Sequence, residues 1–276
     1  MSGGEPATEA ARAACKGSEG AQAATAAGGT EASEGAQAAP AADAINKSGD
    51  AIRDMFAGVA PRYDLLNHLL SGALDVVWRR RAAAALGLGP GARVLDLCCG
   101  TGDQAAAIAR RGPAVAAADF CLPMLALARP KFTRLDGPAP RPRLLAADAL
   151  ALPFPPASFD GATVAFGLRN VADLDRGLGE LARALRPGGR LVVLEFALPA
   201  NRALRGLYLV YFRRVLPRIG RLLSPRGSAY DYLPASVMEF PQRRGFLERM
   251  AAAGFAALSW RDLAGGTVCL YSGTKA

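Results

Sequence analysis

The stretch that decides the fold is Val-Leu-Asp-Leu-Cys-Cys-Gly-Thr-Gly-Asp-Gln at residues 94–104. Its apolar beginning is typical of a buried strand, and it runs directly into a glycine turn that precedes a helical pattern. Glycines let the backbone turn sharply and approach a ligand closely. The stretch therefore predicts a strand–turn–helix unit with a ligand at the turn.

The acids beside this turn indicate the charge of the ligand. Asp96 precedes and Asp103 follows the glycines Gly100 and Gly102. Carboxylates repel a pyrophosphate at a helix N-terminus, but they attract a cation. S-adenosylmethionine meets this requirement, because it has an ammonium, a sulfonium and an adenosine but no phosphate. The loop therefore favours S-adenosylmethionine as the cofactor.

A dinucleotide is the alternative ligand of the same loop. Gly100, Gly102 and Ala105 satisfy a loose G-x-G-x-x-A fingerprint, which is weak evidence by itself. Asp119 follows these glycines at nearly the spacing at which an acid binds the ribose hydroxyls in either class of cofactor.

Composition divides the chain, which has 276 residues and a formal net charge of +9. Residues 1–48 are mostly Ala, Gly, Ser, Thr and Glu, so they bury too little apolar surface to offset their conformational entropy. Their acids disfavour a transit peptide, and they lack the apolar segment of a secretory signal. We predict a disordered tail over 1–48 and a single α/β domain over 49–276.

Apolar runs and cysteines narrow the class of protein. No run of about 18 apolar residues occurs, so a membrane-spanning helix is not expected. The 5 cysteines show no paired C-x-x-C spacing, which disfavours both a metal site and a disulfide framework. A cytoplasmic location is the resulting expectation.

Arginine is concentrated over residues 202–226, where no acid occurs. Apolar residues interleave with the arginines at helical spacing, which predicts a basic amphipathic helix. Such a helix binds a membrane surface, here the inner face of the membrane. An ordinary solvated helix face and a nucleic-acid patch are the alternatives. No nucleic-acid-reading module accompanies the segment, so no nucleic-acid partner is expected.

Alternating patterns predict the architecture. We expect strands over 93–97, 114–118, 143–147, 159–165, 190–196, 255–261 and 267–272, and helices over 51–57, 74–86, 103–111, 123–128, 174–185 and 242–253. This alternation implies an α/β fold with a doubly wound parallel sheet. Asp96, Asp119, Asp148 and the loop 167–170 each follow a strand, so they should meet at the edge where such sheets bind ligands.

Four segments carry a resemblance to a known family. They are residues 55–64 with 67–71 and Trp78, residues 152–154 with 166–171, residues 185–196, and residues 230–237. Over 52–275 the chain resembles the ubiquinone/menaquinone biosynthesis C-methyltransferases, which are class I S-adenosylmethionine enzymes. The resemblance implies a mostly parallel sheet with an antiparallel C-terminal strand.

The resemblance also implies a reaction, the C-methylation of a prenylated quinol. Demethylmenaquinol is the favoured substrate, giving menaquinol. The methoxy-benzoquinol of ubiquinone synthesis, or both substrates in one enzyme, is the alternative. A non-catalytic cofactor- or nucleic-acid-binding module is the alternative from another class. Oligomeric state is open, with a homodimer as one outcome.

Roles follow for matched positions. The predicted cofactor-binding residues are Asp96, Gly100, Thr101, Gly102, Asp119, Asp148, Ala149 and Ala165. Relatives often carry Ser at position 165, so one cofactor hydrogen bond is expected to be missing. They also often carry His where this chain has Asp75, and Ser where it has Ala197.

Three residues are predicted to carry the chemistry. Arg169 would stabilise a quinolate oxygen, and the amide of Asn170 would fix a water molecule. Asp103 would accept a proton across the cleft. The alternative for Arg169 is a salt bridge that locks its loop to Asp103 or Asp173.

A helical N-terminal lid and a later segment are predicted to enclose the quinol. The predicted pocket residues are Tyr63, Asn67, His68, Tyr230 and Tyr232. His68 is the only histidine of the chain, but its apolar surroundings favour packing or a place in the pocket wall over the role of a base. The alternative is that both segments merely cap the sheet.

Overall fold

The computed structural model describes residues 47–60, 63–135, 140–215, 218 and 228–276. All but the last two residues of the predicted tail 1–48 lie outside the described residues. Within the described ranges, no helix has the length and apolar character that crossing a membrane requires.

Seven strands form one sheet in the order β3-β2-β1-β4-β5-β7-β6. The strands are β1 Arg93–Leu97, β2 Ala114–Asp119, β3 Arg143–Ala146, β4 Phe159–Ala165, β5 Leu185–Phe196, β6 Phe255–Leu263 and β7 Val268–Lys275. The first five strands run parallel, and β7 runs antiparallel to both β5 and β6. The predicted sheet, mostly parallel with an antiparallel C-terminal strand, is confirmed.

Helices cover the sheet and one of its edges. They are α1 Gly49–Val59, α2 Tyr63–Ser71, α3 Leu74–Ala85, α4 Asp103–Ala109, α5 Leu122–Thr133, α6 Leu174–Ala184, α7 Arg202–Val210, α8 Ser228–Glu239 and α9 Arg244–Ala252. Asp173 caps α6, since its side chain accepts a hydrogen bond of 3.0 Å from the backbone N–H of Arg176. A π-helical turn, Tyr211–Val215, continues α7.

Several predicted boundaries are wrong. Strand β5 begins at Leu185 instead of 190, because Leu185 already pairs with Phe159 before the glycine turn. Helix α5 continues past 128 through Pro130, because Phe132 packs into the core in the last turn. Helix α2 was not predicted. The basic helix predicted over 202–226 is continuous only to Val210 before the π-helical turn, and most of 216–227 lies outside the described residues.

The core lies on both faces of the central strands. Val94 and Leu95 on β1, and Ala162 and Val164 on β4, are fully buried. A strand buried on both faces has apolar side chains along its length, so its polar side chains lie at its ends. In this sheet they lie at the carboxyl ends of the parallel strands. This edge therefore gathers the predicted acids.

Two loops approach closely at that edge. A Cβ at Gly167 would overlap the Cβ of Cys98, so only glycine allows the loop after β4 to lie against the loop after β1. Gly102 has φ +83°, and a Cβ there would lie 2.6 Å from the ring of Phe132. Both glycines are needed for close approach.

We expect Gly167→Ala to lower the free energy of unfolding by about 1–3 kcal/mol, because the added methyl has no room. Gly179→Ala is the matched control. Gly179 lies on α6, and a Cβ there would meet no atom within 4 Å. This variant should therefore stabilise the protein by about 0.5–1 kcal/mol. Urea unfolding measures both. Equal destabilisation by the two variants would contradict the close approach.

Candidate active site

Two adjoining cavities lie at the carboxyl edge of the sheet. The first, the loop cavity, has a volume of about 260 Å³ and lies over the glycine loop. The second, the aromatic cavity, has a volume of about 290 Å³ and lies among α1, α2, α3, α7 and α8. The two share the wall residues Phe56, Tyr63, Arg79 and Phe166. A molecule in one cavity therefore lies beside a molecule in the other.

The loop cavity brings together most of the residues predicted to bind cofactor. Those in its wall are Gly100, Thr101, Asp119, Asp148, Ala149 and Ala165. Asp96 and Gly102 are buried outside that wall, in the strand end and at the start of α4. A Cβ at Gly100 would meet no protein atom within 4 Å, so the backbone leaves open space there.

Asp119 is held rigidly at the end of β2. One of its oxygens accepts a hydrogen bond of 2.8 Å from the N–H of Gly100, and the other accepts one of 2.9 Å from the N–H of Cys121. Burial raises the pKa of Asp119, and these backbone bonds partly oppose the rise. Its remaining lone pairs can accept hydrogen bonds from a ligand.

Asp96 is the most strongly perturbed acid of the site. It is fully buried, and neither oxygen has a partner of ordinary hydrogen-bond geometry. Burial raises its pKa to about 8; Arg79 opposes the rise, and the carboxylates of Asp119 and Asp103 add to it. A cation bound on the glycine loop would favour the charged form of this group.

A cluster of charges fastens the lid to the glycine loop. The Lys131 ammonium lies 2.6 Å from a carboxylate oxygen of Asp64 on α2 and 2.6 Å from one of Asp103 on α4. Thr101 donates a hydrogen bond of 2.6 Å to the other oxygen of Asp64. Helix α2 and the glycine loop are therefore linked directly.

This cluster includes Asp103, the predicted proton acceptor. The Asp103 carboxylate is neutralised by Lys131 and lines the loop cavity, away from the wall of the aromatic cavity. Its expected salt bridge with Arg169 does not form, and neither does the one from Asp173, which caps α6. That alternative was wrong about the partner, because a nearer acid on β5 takes the guanidinium.

Arg169 pairs with Glu195, and both side chains are buried. Its Nη1 lies 2.7 Å from Glu195 Oε1 and also donates to the carbonyl of Phe166. The guanidinium lies 5.3 Å from the ring centre of Phe196, and its Nε has no hydrogen-bond partner. Arg169 lines the aromatic cavity, while the neighbouring Asn170 lines the loop cavity.

Aromatic side chains dominate the wall of the aromatic cavity. They are Phe56, Tyr63, Trp78, Phe166, Phe196, Tyr208, Tyr211, Phe212 and Tyr232. Only Tyr63 and Tyr232 were predicted as site residues; the other seven were not. For Tyr208, Tyr211 and Phe212 the signal was their apolar positions interleaved with the arginines, but that pattern was interpreted as a membrane face.

The predicted pocket residues divide into three groups. Tyr63, Asn67 and Tyr232 line the aromatic cavity. The His68 side chain is outside its wall and 41% exposed, although its hydrogen-bond partner Asp75 is in the wall. The side chain of Tyr230 lies outside the described residues.

Arg79 was missed by the sequence analysis. Its guanidinium is buried in the wall shared by the two cavities, 5.3 Å from the ring centre of Phe166. Its Nε lies 3.8 Å from Asp75 Oδ2 and has no hydrogen-bond partner.

Among the described residues, no group of three or more His, Cys, Asp or Glu side chains is placed to hold a metal ion.

The sheet order and its flanking helices are the fold of the class I S-adenosylmethionine-dependent methyltransferases. Solved structures share this architecture. The structure of an S-adenosylmethionine-dependent methyltransferase from Thermotoga maritima aligns with 82% of this chain and 100% of its own chain, with a TM-score of 0.57 and 18% sequence identity. The [4+2]-cyclase SpnF aligns over 81% and 94%, with TM-score 0.61 and 20% identity. These likenesses show the fold.

The chain belongs to the ubiE/COQ5 methyltransferase family, whose family model matches residues 44–275. A demethylmenaquinone methyltransferase from Thermus thermophilus is 53% identical over 205 residues, which is 73% of this chain and 91% of the relative. The ubiquinone/menaquinone biosynthesis C-methyltransferase UbiE from Geobacter sulfurreducens is 46% identical over 234 residues, covering 84% and 91%. The protein is thus a methyltransferase that uses S-adenosylmethionine.

We expect the affinity for S-adenosylmethionine to rise between pH 6.5 and 8.5. Below about 8 the Asp96 carboxyl is neutral, and binding the cation requires it to lose a proton. The dissociation constant should fall by up to about tenfold per pH unit below that pKa. Calorimetry at several pH values measures it. Asp96→Asn should bind weakly, with most of the pH dependence gone; an unchanged slope would contradict the assignment.

The same variant should stabilise the protein without ligand. Because the pKa of Asp96 is raised from 3.8 to about 8 in the folded state, stability falls as pH rises between these values, since the unfolded chain releases a proton that the folded protein retains. Asp96→Asn removes this cost, so we expect about 1–3 kcal/mol of added stability at pH 8 and less at pH 5. Thermal unfolding at both values checks the difference, and a destabilised variant at pH 8 would contradict it.

Proposed function

We propose that the protein transfers the methyl group of S-adenosylmethionine to a ring carbon of demethylmenaquinol, giving menaquinol. The observation that carries this proposal is the aromatic cavity, an apolar space for a flat ring that shares a wall with the cofactor cavity. The Thermus thermophilus relative supports the naphthoquinol by its name. The Geobacter sulfurreducens relative, named for both pathways, keeps the methoxy-benzoquinol as the alternative substrate.

The shared wall favours direct methyl transfer. S-adenosylmethionine supplies an electrophilic methyl on sulfur, and the quinol supplies an electron-rich ring carbon. Holding the ring in line with this methyl provides much of the rate enhancement. The aromatic walls and the lid exclude water, which strengthens the charge interactions inside.

Arg169 is the group that we assign to the developing charge on a ring oxygen. Its ion pair with Glu195 and its contact with Phe166 fix the guanidinium, while its Nε keeps a free donor. A donor fixed before the reaction costs no reorganisation during it. The Asn170 amide oxygen, also buried and without a partner, can hold a water molecule beside the cofactor.

Labelled methyl transfer tests the proposed function. With S-adenosylmethionine labelled on the methyl, in detergent, we expect label in chemically reduced demethylmenaquinone. Arg169→Lys should lower kcat about 100-fold with unchanged cofactor affinity, because lysine cannot reproduce the fixed guanidinium donors. Arg244→Lys, at an exposed position on α9, is the control and should keep full activity. Absence of label from both quinols, with cofactor bound, would contradict the proposal.

We propose further that α7 holds the enzyme at a lipid surface. Leu204, Leu207 and Val210 repeat every three residues on the helix and are exposed, Leu207 by 69%. Tyr208 and the turn residue Phe212 point the other way and line the aromatic cavity. The exposed Arg202 and Arg205 side chains can bind anionic headgroups, as the arginines of interfacial helices do. A prenyl tail could then remain in the bilayer while the ring occupies the cavity.

Leu207→Glu should weaken binding to vesicles containing anionic lipid and lower activity on long-tailed quinols, with little effect on short-tailed ones. Leu127→Glu on α5, another exposed leucine, is the matched control. Vesicle sedimentation and parallel assays with the two tail lengths measure the effect. Equal loss of activity for both tails would contradict a membrane role.

A further inference from the structure

Asp75 is a buried carboxylate that the assigned machinery does not use. It lies in the first turn of α3, is 4% exposed, and lines the aromatic cavity. Ser71 donates a hydrogen bond of 2.9 Å to Asp75 Oδ1, and His68 Nδ1 lies 3.0 Å from the same oxygen. The other oxygen, Oδ2, is buried without a partner of hydrogen-bond geometry, although His68 Nδ1 lies 3.0 Å and Arg79 Nε 3.8 Å from it.

A tight turn brings these groups together. Gly72 and Ala73, both with φ near +60°, reverse the chain between α2 and α3. The N–H of Ala73 donates a hydrogen bond of 2.7 Å to the carbonyl of His68. As a result the last turn of α2 lies against the first turn of α3, and His68 connects the buried carboxylate to solvent through a ring that is 41% exposed.

The cavity offers no better proton acceptor among its described wall residues. The other charged groups of that wall are the guanidiniums of Arg79 and Arg169, which remain protonated. Burial raises the pKa of three of its four tyrosines, Tyr208, Tyr211 and Tyr232, so these three stay neutral. Asp103, paired with Lys131, faces the other cavity. Glu195 is held by Arg169 and is not in the wall.

We propose that Asp75 Oδ2 accepts the hydroxyl proton of the bound quinol during methyl transfer and that His68 passes it to solvent. This inference rests on the proposed function. It adds a catalytic residue, Asp75, which would touch the substrate, and a positioning and relay residue, His68.

The hydroxyl next to the accepting carbon loses its proton to Asp75, and the O–H electron pair forms a carbonyl. The ring π pair forms the carbon–methyl bond, while the sulfur–methyl bond breaks and sulfur keeps its pair. The methylated ring then loses the hydrogen of that carbon as a proton and regains one on oxygen. One proton leaves overall, through Asp75 and His68.

The basicity of Asp75 fits transfer during, and not before, the methyl step. Burial alone would raise its pKa, but hydrogen bonds from His68 and Ser71 and the charges of His68 and Arg79 lower it on balance. Such a carboxylate is too weak to ionise a phenol, whose pKa is about 10. Once the ring carbon bonds to the methyl, the hydroxyl becomes a protonated carbonyl, which is a far stronger acid, and the carboxylate can then take its proton.

Asp75→Asn tests the inference in the intact chain. We expect kcat to fall about 100-fold, with S-adenosylmethionine affinity and Tm near those of the original protein. The solvent deuterium isotope effect on kcat should disappear or change, which a merely structural role would not cause. The exchange variant H68D/D75H keeps an acid–imidazole pair and should recover part of kcat, with the acidic limb of its pH profile moved. Asp54→Asn, at an exposed position on α1, is the control.

A second readout does not require turnover. His68 is the only histidine, so its ring gives a single imidazole signal in NMR spectra. With S-adenosylhomocysteine bound, addition of 1,4-naphthalenediol should shift this signal in the original protein and not in Asp75→Asn. Full activity of Asp75→Asn with an unchanged isotope effect would overturn the inference while leaving the function intact. No methyl transfer by the original protein would overturn both.

Discussion

The buried ion pair between Arg169 and Glu195 is the interaction on which the site depends. It ties the loop after β4 to the end of β5, and that loop contributes to both cavities: Phe166 to their shared wall, Arg169 to one and Asn170 to the other. Removing one partner of such a pair leaves an uncompensated buried charge and costs about 3–5 kcal/mol. The geometry of the two cavities is therefore fixed by an interaction that cannot be loosened without cost.

Charge is distributed unequally between the two cavities. The loop cavity lies beside the acids Asp96, Asp103 and Asp119, which suit a cationic cofactor. The aromatic cavity is lined by the guanidinium of Arg169 and, in the shared wall, by that of Arg79; the Nε of each has no hydrogen-bond partner and suits an oxygen that becomes electron-rich. Methyl transfer neutralises the sulfonium, and the positive charge leaves as a proton. The acids favour the charged cofactor before transfer, and the guanidinium donors favour the electron-rich ring oxygen that drives the attack.

The sequence predicted those parts of the site that local patterns determine. Asp119 and the glycine loop follow strands with clear apolar patterns, so their common edge could be inferred. The partner of Arg169 could not, because Glu195 lies on a neighbouring strand and only the sheet order brings them together. The same holds for the neutralisation of Asp103 by Lys131. The aromatic residues of α7 showed their helical spacing but not which side would face the cavity.

The most direct test of the account is a crystal structure of the complex with S-adenosylhomocysteine and 1,4-naphthalenediol. We predict the thioether in the loop cavity, pointing across the wall formed by Phe166 and Arg79 toward the diol ring in the aromatic cavity. One hydroxyl should lie within hydrogen-bond distance of Asp75. A diol outside the aromatic cavity, or a thioether that points away from the shared wall, would contradict the account.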